Sequence, residues 1–335
     1  MAGQGSKAVV LAIGGNSVLT VIKFGAYLIT GSGAMLAEAV HSAADLGNQT
    51  LLWVGLKKSR QGPTAEHHFG YGKDRFLWAL VSAAGIFFIG CGVSVTHGLH
   101  ALFSPGEHHG AGLLTWIVLG IALVVDAFVL VQAIRELNAQ RKDQPWITFL
   151  RTTDDTTTLA VLFEDGAACL GVIMAGIGIG LSNALHAPWI DAVTAILIGL
   201  LLGAIALFLG AVNRAYLLDR AVSADVQARV LAAMRGVSKG SVADFASIKT
   251  RVVGQDLFSF SADVEFDGRV ISDRVQKRMN LEASFEGLGS AEDLNRLLDE
   301  HARVVVEELG HEVDRIEKEV RAQVPGARFI QLEVD

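Results

Sequence analysis

Six apolar stretches, at residues 8–29, 34–56, 76–103, 112–134, 156–185 and 189–211, fill most of the first two thirds of the chain. Each has about the 20 residues or more that an α-helix needs to cross a hydrocarbon core. Runs of this length predict six transmembrane helices. After Asn213 the pattern changes to charged, periodic sequence that cannot span a bilayer. The expected organisation is a six-helix membrane domain over 1–213 and a water-exposed domain over 214–335.

Within the second part, Ser223–Arg235 reads as a short helix with Ser223 as N-cap and Asp225 in its first turn. Leu257–Phe266 alternates strictly, with Phe258, Phe260, Ala262, Val264 and Phe266 on one face, the signature of a half-buried strand. A strand near Phe245–Val253 pairs with it through the turn Gly254-Gln255-Asp256. Residues 291–322 predict a long amphipathic helix with Leu294, Leu298, Val305, Leu309, Val313, Ile316 and Val320 along its apolar side. Arg328–Val334 predicts a last strand, giving the order αββαβ of a small α+β sandwich, while Ile271–Ser290 supports no assignment.

Composition agrees with a membrane protein: of 335 residues 51% are hydrophobic and 19% charged, and the mean hydropathy is +0.41. The 36 glycines against 5 prolines suit membrane helices, which use small residues to let backbones approach. A net charge of −7 without a basic face argues against nucleic acid as a partner. Cys91 and Cys169, the only cysteines, both lie in apolar runs, which excludes a disulfide framework or a Cys-rich metal site. Lys57, Lys58, Arg60, Lys73 and Arg75 flank the second loop, Arg135, Arg141, Lys142 and Arg151 the fourth, and Arg214 and Arg220 follow the sixth helix, whereas the other loops carry none. Lys and Arg accumulate on the cytoplasmic side, so both termini and the tail are expected there. Met1–Lys7 lacks a cleavable-signal layout and nothing transit-like precedes the first helix, so the expected location is a bacterial inner membrane.

Charged groups at bilayer depth cost about 2.5–3.5 kcal/mol each on insertion scales, so those present need a partner or a purpose. In the second helix His41 and Asp45 are four residues apart, on one face and about 6 Å apart along the axis. At a rise of about 1.5 Å per residue they sit about 10 and 16 Å below the outer surface, and Glu164 and Asp165 sit about 13–15 Å from the cytoplasmic start of the fifth helix. All four therefore share one level near mid-membrane. One imidazole and three carboxylates form a four-ligand set for a dication. When the metal leaves, repulsion among the carboxylates favours protons in its place, so metal and protons compete. An HxxxD pair alone serves equally well to tie helices together; the depth-matched acid pair favours ligands, because adjacent acids are poor structural glue. Adjacent helix residues differ by about 100° in direction, so one of the two acids can point elsewhere, and Asp165 is the first choice. Asn16, Lys23, Asn48, Gln49 and Asp126 read as packing, pathway or ion-pair groups, with packing ahead of a ligand role, and Asp154 and Asp155 as the N-cap and dipole end of the fifth helix. A loop segment, Glu66-His67-His68, is a candidate for holding metal beside the membrane.

Five segments carry a resemblance: AEAVHSAADLGNQTLL at 37–52, HFGYGKDRFLWALVSAAGIFFIGCGVSVTHG at 68–98, LAVLFEDGAACLGVIMA at 159–175, DVEFDGRV at 263–270 and LGHEVDRIEKEV at 309–320. In these, and over nearly its whole length, the chain resembles the cation diffusion facilitator family of metal/proton antiporters, within it the zinc transporter 9 branch. The resemblance implies six membrane helices, a cytoplasmic αββαβ domain, a homodimer, and Zn²⁺ exchanged for H⁺ at a site on the second and fifth helices. It carries ligand roles onto His41, Asp45 and Asp165. Most members place His or Asp four residues before the last acid, where this chain has Val161. Glu164 is the candidate replacement, and the resulting oxygen-rich set also admits Mn²⁺, Fe²⁺ or Co²⁺. The tail has only His301 and His311, so it is expected to act in dimerisation rather than in holding metal.

The expected function is therefore secondary active export of a divalent cation, foremost Zn²⁺, in exchange for H⁺, with no enzyme activity and no cofactor. No GxxxxGK[ST] phosphate loop is present, which leaves the proton gradient as the energy source. The alternative, a membrane-embedded metallohydrolase, would carry a motif such as HExxH, and none appears.

Overall fold

The computed structural model describes residues 4–30, 33–103, 113–141, 144–153, 155–187, 189–238 and 240–334. The chain forms two compact units, Met1–Leu218 and Asp219–Asp335. The first unit contains α1 (Gln4–Thr30), α2 (Gly33–Lys58), a long helix made of α3 (Asp74–Gly85), a π-helical turn (Ile86–Cys91) and α4 (Gly92–Phe103), then α5 (Leu113–Arg141), the short α6 (Trp146–Thr152), α7 (Thr156–Leu185) and α8 (Trp189–Leu217). Among the described residues four helices, 74–103, 116–141, 156–185 and 189–217, are long and apolar enough to cross a membrane. The two others are more mixed: α1 holds a shorter apolar stretch, Val9–Gly25, and α2 is broken up by polar side chains such as Asp45, Asn48 and Gln49.

Helix ends are marked by charge. Lys57 and Lys58 close α2, Arg141 closes α5 and Arg214 lies in the last turn of α8, where cations complement the negative end of the helix dipole. We call this the basic end of the unit. Lys57 and Lys58 lie over the rings of Trp53 and Trp78, 5.2 and 5.3 Å from their centroids, so their stems cover apolar surface while the ammonium groups stay polar.

Packing partners follow from small residues. The long helix of α3, the π turn and α4 lies along α8, α1 lies along α2, and α5 along α7. At Gly98 a β-carbon would stand 2.7 Å from the Ala192 carbonyl oxygen and from Ile196 Cγ1, and at Gly203 one would stand 2.9 Å from Cys91 Sγ. Only glycine allows α4 and the π turn to approach α8 so closely. A π-helical turn inside an α-helix is rare and often accompanies a functional site; here it begins at Ile86, in the middle of the long helix.

The second unit contains α9 (Ala224–Ser238), β1 (Val242–Gly254), β2 (Leu257–Phe266), α10 (Gly268–Met279), α11 (Leu281–Glu286), α12 (Ala291–Gln323) and β3 (Ala327–Val334). The sheet order is β1-β2-β3, with β1 antiparallel and β3 parallel to β2. Phe258, Phe260, Ala262 and Val264 of β2 are buried, as the alternation predicts, and pack with Val230, Met234, Val237, Ile316, Val320, Ile330 and Leu332. The predicted αββαβ framework is present, with α10 and α11 added in the stretch that supported no assignment. α10 buries only Ile271 and Val275, against Val304 of α12, too few apolar residues to give a periodic signal. It is otherwise held by ion pairs: Arg274 Nη1 to Glu312 Oε2 at 2.8 Å, and Arg278 to Glu307 and Glu308 at 2.6 and 2.8 Å. At 12 residues against 33, α10 covers only part of α12. Leu294 and Leu298, expected on the buried side, are therefore exposed.

Candidate metal centre

Asp45 of α2 and Glu164 of α7 line one cavity of about 20 Å³, walled by Ile86, Ala168, Leu202 and Ile205. Such a volume holds about one water-sized body. α2 and α7 bring Asp45 and Glu164 to one cavity, and the π turn contributes Ile86 to its wall. Ser82, one turn before Ile86 on α3, sits beside Glu164. Ser82 Oγ and Glu164 Oε1 are nevertheless both shielded from solvent without a hydrogen bond of ordinary geometry. A carboxylate oxygen left this way against apolar walls is costly unless a cation or a proton satisfies it.

Asp165 does not line that cavity. It is buried at 3% exposure, its Oδ2 has no hydrogen-bond partner, and its strongest charged neighbour is Asp126 of α5, followed by Asp45. The 100° turn between adjacent helix residues thus sends Glu164 to the α2–α3–α8 side and Asp165 to the α5 side. Val161, where most related sequences are expected to have a ligand, is fully buried and apolar. The side chain of His41 lies outside the described residues. Among the described residues no three His, Cys, Asp or Glu side chains gather closely enough to hold a metal ion. What the structure brings together is two carboxylates, Asp45 and Glu164, at one cavity, with Asp165 buried beside them and charged neighbours of its own in Asp126 and Asp45.

The α1–α2 contact that supports Asp45 is polar. Lys23 Nζ donates to Ser42 Oγ at 2.8 Å and Asn16 Nδ2 to Gln49 Oε1 at 3.0 Å, bracketing Asp45 on its own helix. In the loop candidate, Glu66, His67 and His68 are exposed. The His67 ring stands edge-on to Tyr71 at 4.5 Å and His68 Nε2 donates to the Ala65 carbonyl at 3.0 Å, so local contacts hold these rings, and among the described residues no group of three metal-binding side chains gathers there.

Sequence reasoning missed two features. Asp126 reads in the sequence as a packing, pathway or ion-pair group, although an acid inside a 23-residue apolar run is itself a signal; it is 6% exposed and a charged neighbour of Asp165. Arg75 reads in the sequence as a loop charge, yet it is buried and its Nη2 donates to Asp155 Oδ1 and to Thr157 Oγ1, both at 3.1 Å. Asp155 is the N-cap predicted for α7, accepting from Thr158 N at 3.2 Å and from Thr158 Oγ1 at 2.8 Å, and it also accepts from Gln140 Nε2 of α5 at 3.0 Å. Asp154 lies outside the described residues. Beside this cluster, Tyr216 of α8 donates to the Thr153 carbonyl at 2.7 Å while stacking on Phe76 at 4.7 Å.

The profile of the cation efflux transmembrane domain family matches residues 9–218. Metal tolerance protein C4 of Arabidopsis thaliana is 34% identical over 341 aligned residues, covering 98% of this chain and 73% of that protein. The mitochondrial proton-coupled zinc antiporter SLC30A9 of Mus musculus is 33% identical over 333 residues, 98% of this chain and 58% of its own length. Magnetosome protein MamM of Paramagnetospirillum magneticum is 31% identical over 248 residues, 73% of this chain and 72% of that protein. The chain thus spans less than two thirds of the length of the mouse protein.

Proposed function

The chain belongs to the cation efflux family, also called the cation diffusion facilitators, and from that premise we propose that it exports Zn²⁺ from the cytoplasm in exchange for H⁺. It is an integral membrane protein that carries divalent metal cations, and a transporter rather than an enzyme. The observation that carries the finer reading is the shared cavity of Asp45 and Glu164, two acids 119 positions apart in sequence that meet at one small hole between helices. Two carboxylates facing each other across apolar walls attract a dication strongly, because the surroundings screen charge poorly. They also repel each other once it leaves, which favours protons as the counter-substrate. Asp165 and His41 belong to the same proposed ligand set and complete it in a state where α2 and α7 close on the metal. The Lys/Arg bias supports a cytoplasmic basic end and cytoplasmic termini.

The test is Zn²⁺ uptake into proteoliposomes holding the full chain, wild type against Asp45→Ala, with pH set separately on the two sides. We expect an inward-directed metal flux driven by an outward proton gradient, and its loss in Asp45→Ala. Equal flux in the variant removes the site; flux indifferent to the gradient leaves metal transport without proton exchange. Among the described residues the donors at the cavity are oxygens, and such an oxygen-rich set also admits Mn²⁺, Fe²⁺ or Co²⁺ as competing cargo. Addition of each in excess to the Zn²⁺ assay separates the two readings. The second unit is proposed to join two copies, with the exposed Leu294, Leu298 and Val306 of α12 as an apolar contact. A single-subunit mass by mass photometry would overturn that assignment.

A further inference from the structure

α7 begins in an unusual environment. Seven consecutive residues, Asp155–Val161, are at most 2% exposed, so protein surrounds every face of the helix from its N-cap to within one turn of Glu164. A lipid-facing helix would leave one side uncovered. A cation that moves along α7 from the basic end must therefore displace protein packed around this stretch, and Asp155 lies about 13 Å from Glu164 at 1.5 Å per residue.

The groups that hold it are specific. Arg75 heads α3 and Asp155 starts α7, two helices that both pack on α8 but touch each other little, and Gln140 lies near the end of α5, which packs on α7. The Arg75–Asp155 pair, with both side chains at 1% exposure or less, thus ties α3 directly to α7 at the basic end. Tyr216 to the Thr153 carbonyl makes a second link, from α8 to the residues just before α7. A buried ion pair gives little net stability over apolar packing, and a role in switching between states is the best-attested reason for keeping one.

We propose that Arg75 and Asp155, supported by Gln140 and Tyr216, form a latch that keeps the basic end of the membrane unit shut, and that its release opens the way from that end to Asp45 and Glu164. The latch rests on the transport reading above, since only a carrier must expose one site alternately. In the present structure it is closed. Release leaves a carboxylate and a guanidinium to be hydrated together, which couples water entry to opening.

The experiment places a reporter cysteine at Val161, in a full-length chain carrying Cys91→Ala and Cys169→Ala, purified in detergent without metal. Its rate of modification by a hydrophilic thiol reagent reads opening at the basic end. With the latch intact labelling is slow; Asp155→Asn, which keeps the N-cap acceptor but loses the charge, raises the rate by about tenfold or more, the shift expected when one state loses a specific stabilising contact. Tyr216→Phe, which removes a single hydroxyl and keeps the stack on Phe76, raises it less, and serves where Asp155→Asn does not fold. Labelling unchanged in a folded Asp155→Asn chain, or unchanged in Tyr216→Phe where that variant stands in, overturns the latch even if the melting temperature falls, because that pattern is purely structural. No metal takes part in the labelling, so its outcome is separate from the proteoliposome assay: wild-type vesicles that fail to move Zn²⁺ overturn the function, not the measured gate.

Discussion

Replacing Glu312 by glutamine removes a single negative charge from the second unit while keeping the shape of the side chain. In the structure Glu312 is 2% exposed. Its Oε2 accepts from Arg274 Nη1 at 2.8 Å and Arg315 Nε at 2.9 Å, and its Oε1 accepts from Arg315 Nη2 at 2.6 Å and from the Ser241 hydroxyl. Burial pushes its carboxyl up, but hydrogen bonds from Arg315, Arg274 and Ser241 and the charge of Arg315 outweigh this and hold it at about 2. Against an ordinary value of about 4.3, the difference corresponds to about 3 kcal/mol in favour of the folded, ionised state. The folded value is the lower one, so this stability is present above about pH 4.3 and is lost as pH falls toward 2. Glutamine mimics the protonated acid, and at pH 7 should cost the same 3 kcal/mol or somewhat less, because Arg274 and Arg315 are about a third exposed and regain water.

All 5 tryptophans lie in the first unit, so fluorescence does not see this change. Hydrogen exchange of α10 and α12 amides in the full chain does. About 3 kcal/mol raises exchange at pH 7 roughly a hundredfold for amides that open with the network. The gap between wild type and Glu312→Gln should close as pH is lowered through the same window. Less than about a fivefold rise, under roughly 1 kcal/mol by the same conversion, would refute the claim that the carboxylate holds α10 to α12.

Gly98→Ala places a methyl group against the Ala192 carbonyl, which as backbone cannot step aside, and should cost about 1–3 kcal/mol, read as a lower melting temperature in detergent; an unchanged midpoint would show that the α4–α8 seam has slack. Glu164→Gln should weaken Zn²⁺ binding by calorimetry about tenfold or more, and further than Asp165→Asn, since Glu164 lines the cavity and Asp165 faces Asp126; the reverse order would exchange their roles. Phe260→Ala empties a fully buried site in the second core and should cost about 3–5 kcal/mol, seen as faster exchange across β2, with little change contradicting the packing described.

Much of the architecture was legible in the residues alone. The hydrocarbon core imposes a length on any helix that crosses it, so the long apolar runs appear at their observed positions, and strict alternation places β2 at Leu257–Phe266. Spacing within one helix likewise puts acids at a common depth, because rise per residue is a local quantity. Direction around the axis is another matter. Which of Glu164 and Asp165 meets Asp45 depends on how α7 is rotated against α2, α5 and α8, and that is settled by packing far along the chain. The partner of Arg75 lies 80 residues away, and only the assembled bundle buries the two together, so a charge that reads as loop becomes an internal tie. α10 went unread because polar pairs with α12, rather than a periodic apolar face, hold it in place. Local chemistry determined where the elements are; tertiary contacts decided which of their faces meet, and with that which acids can share a cation.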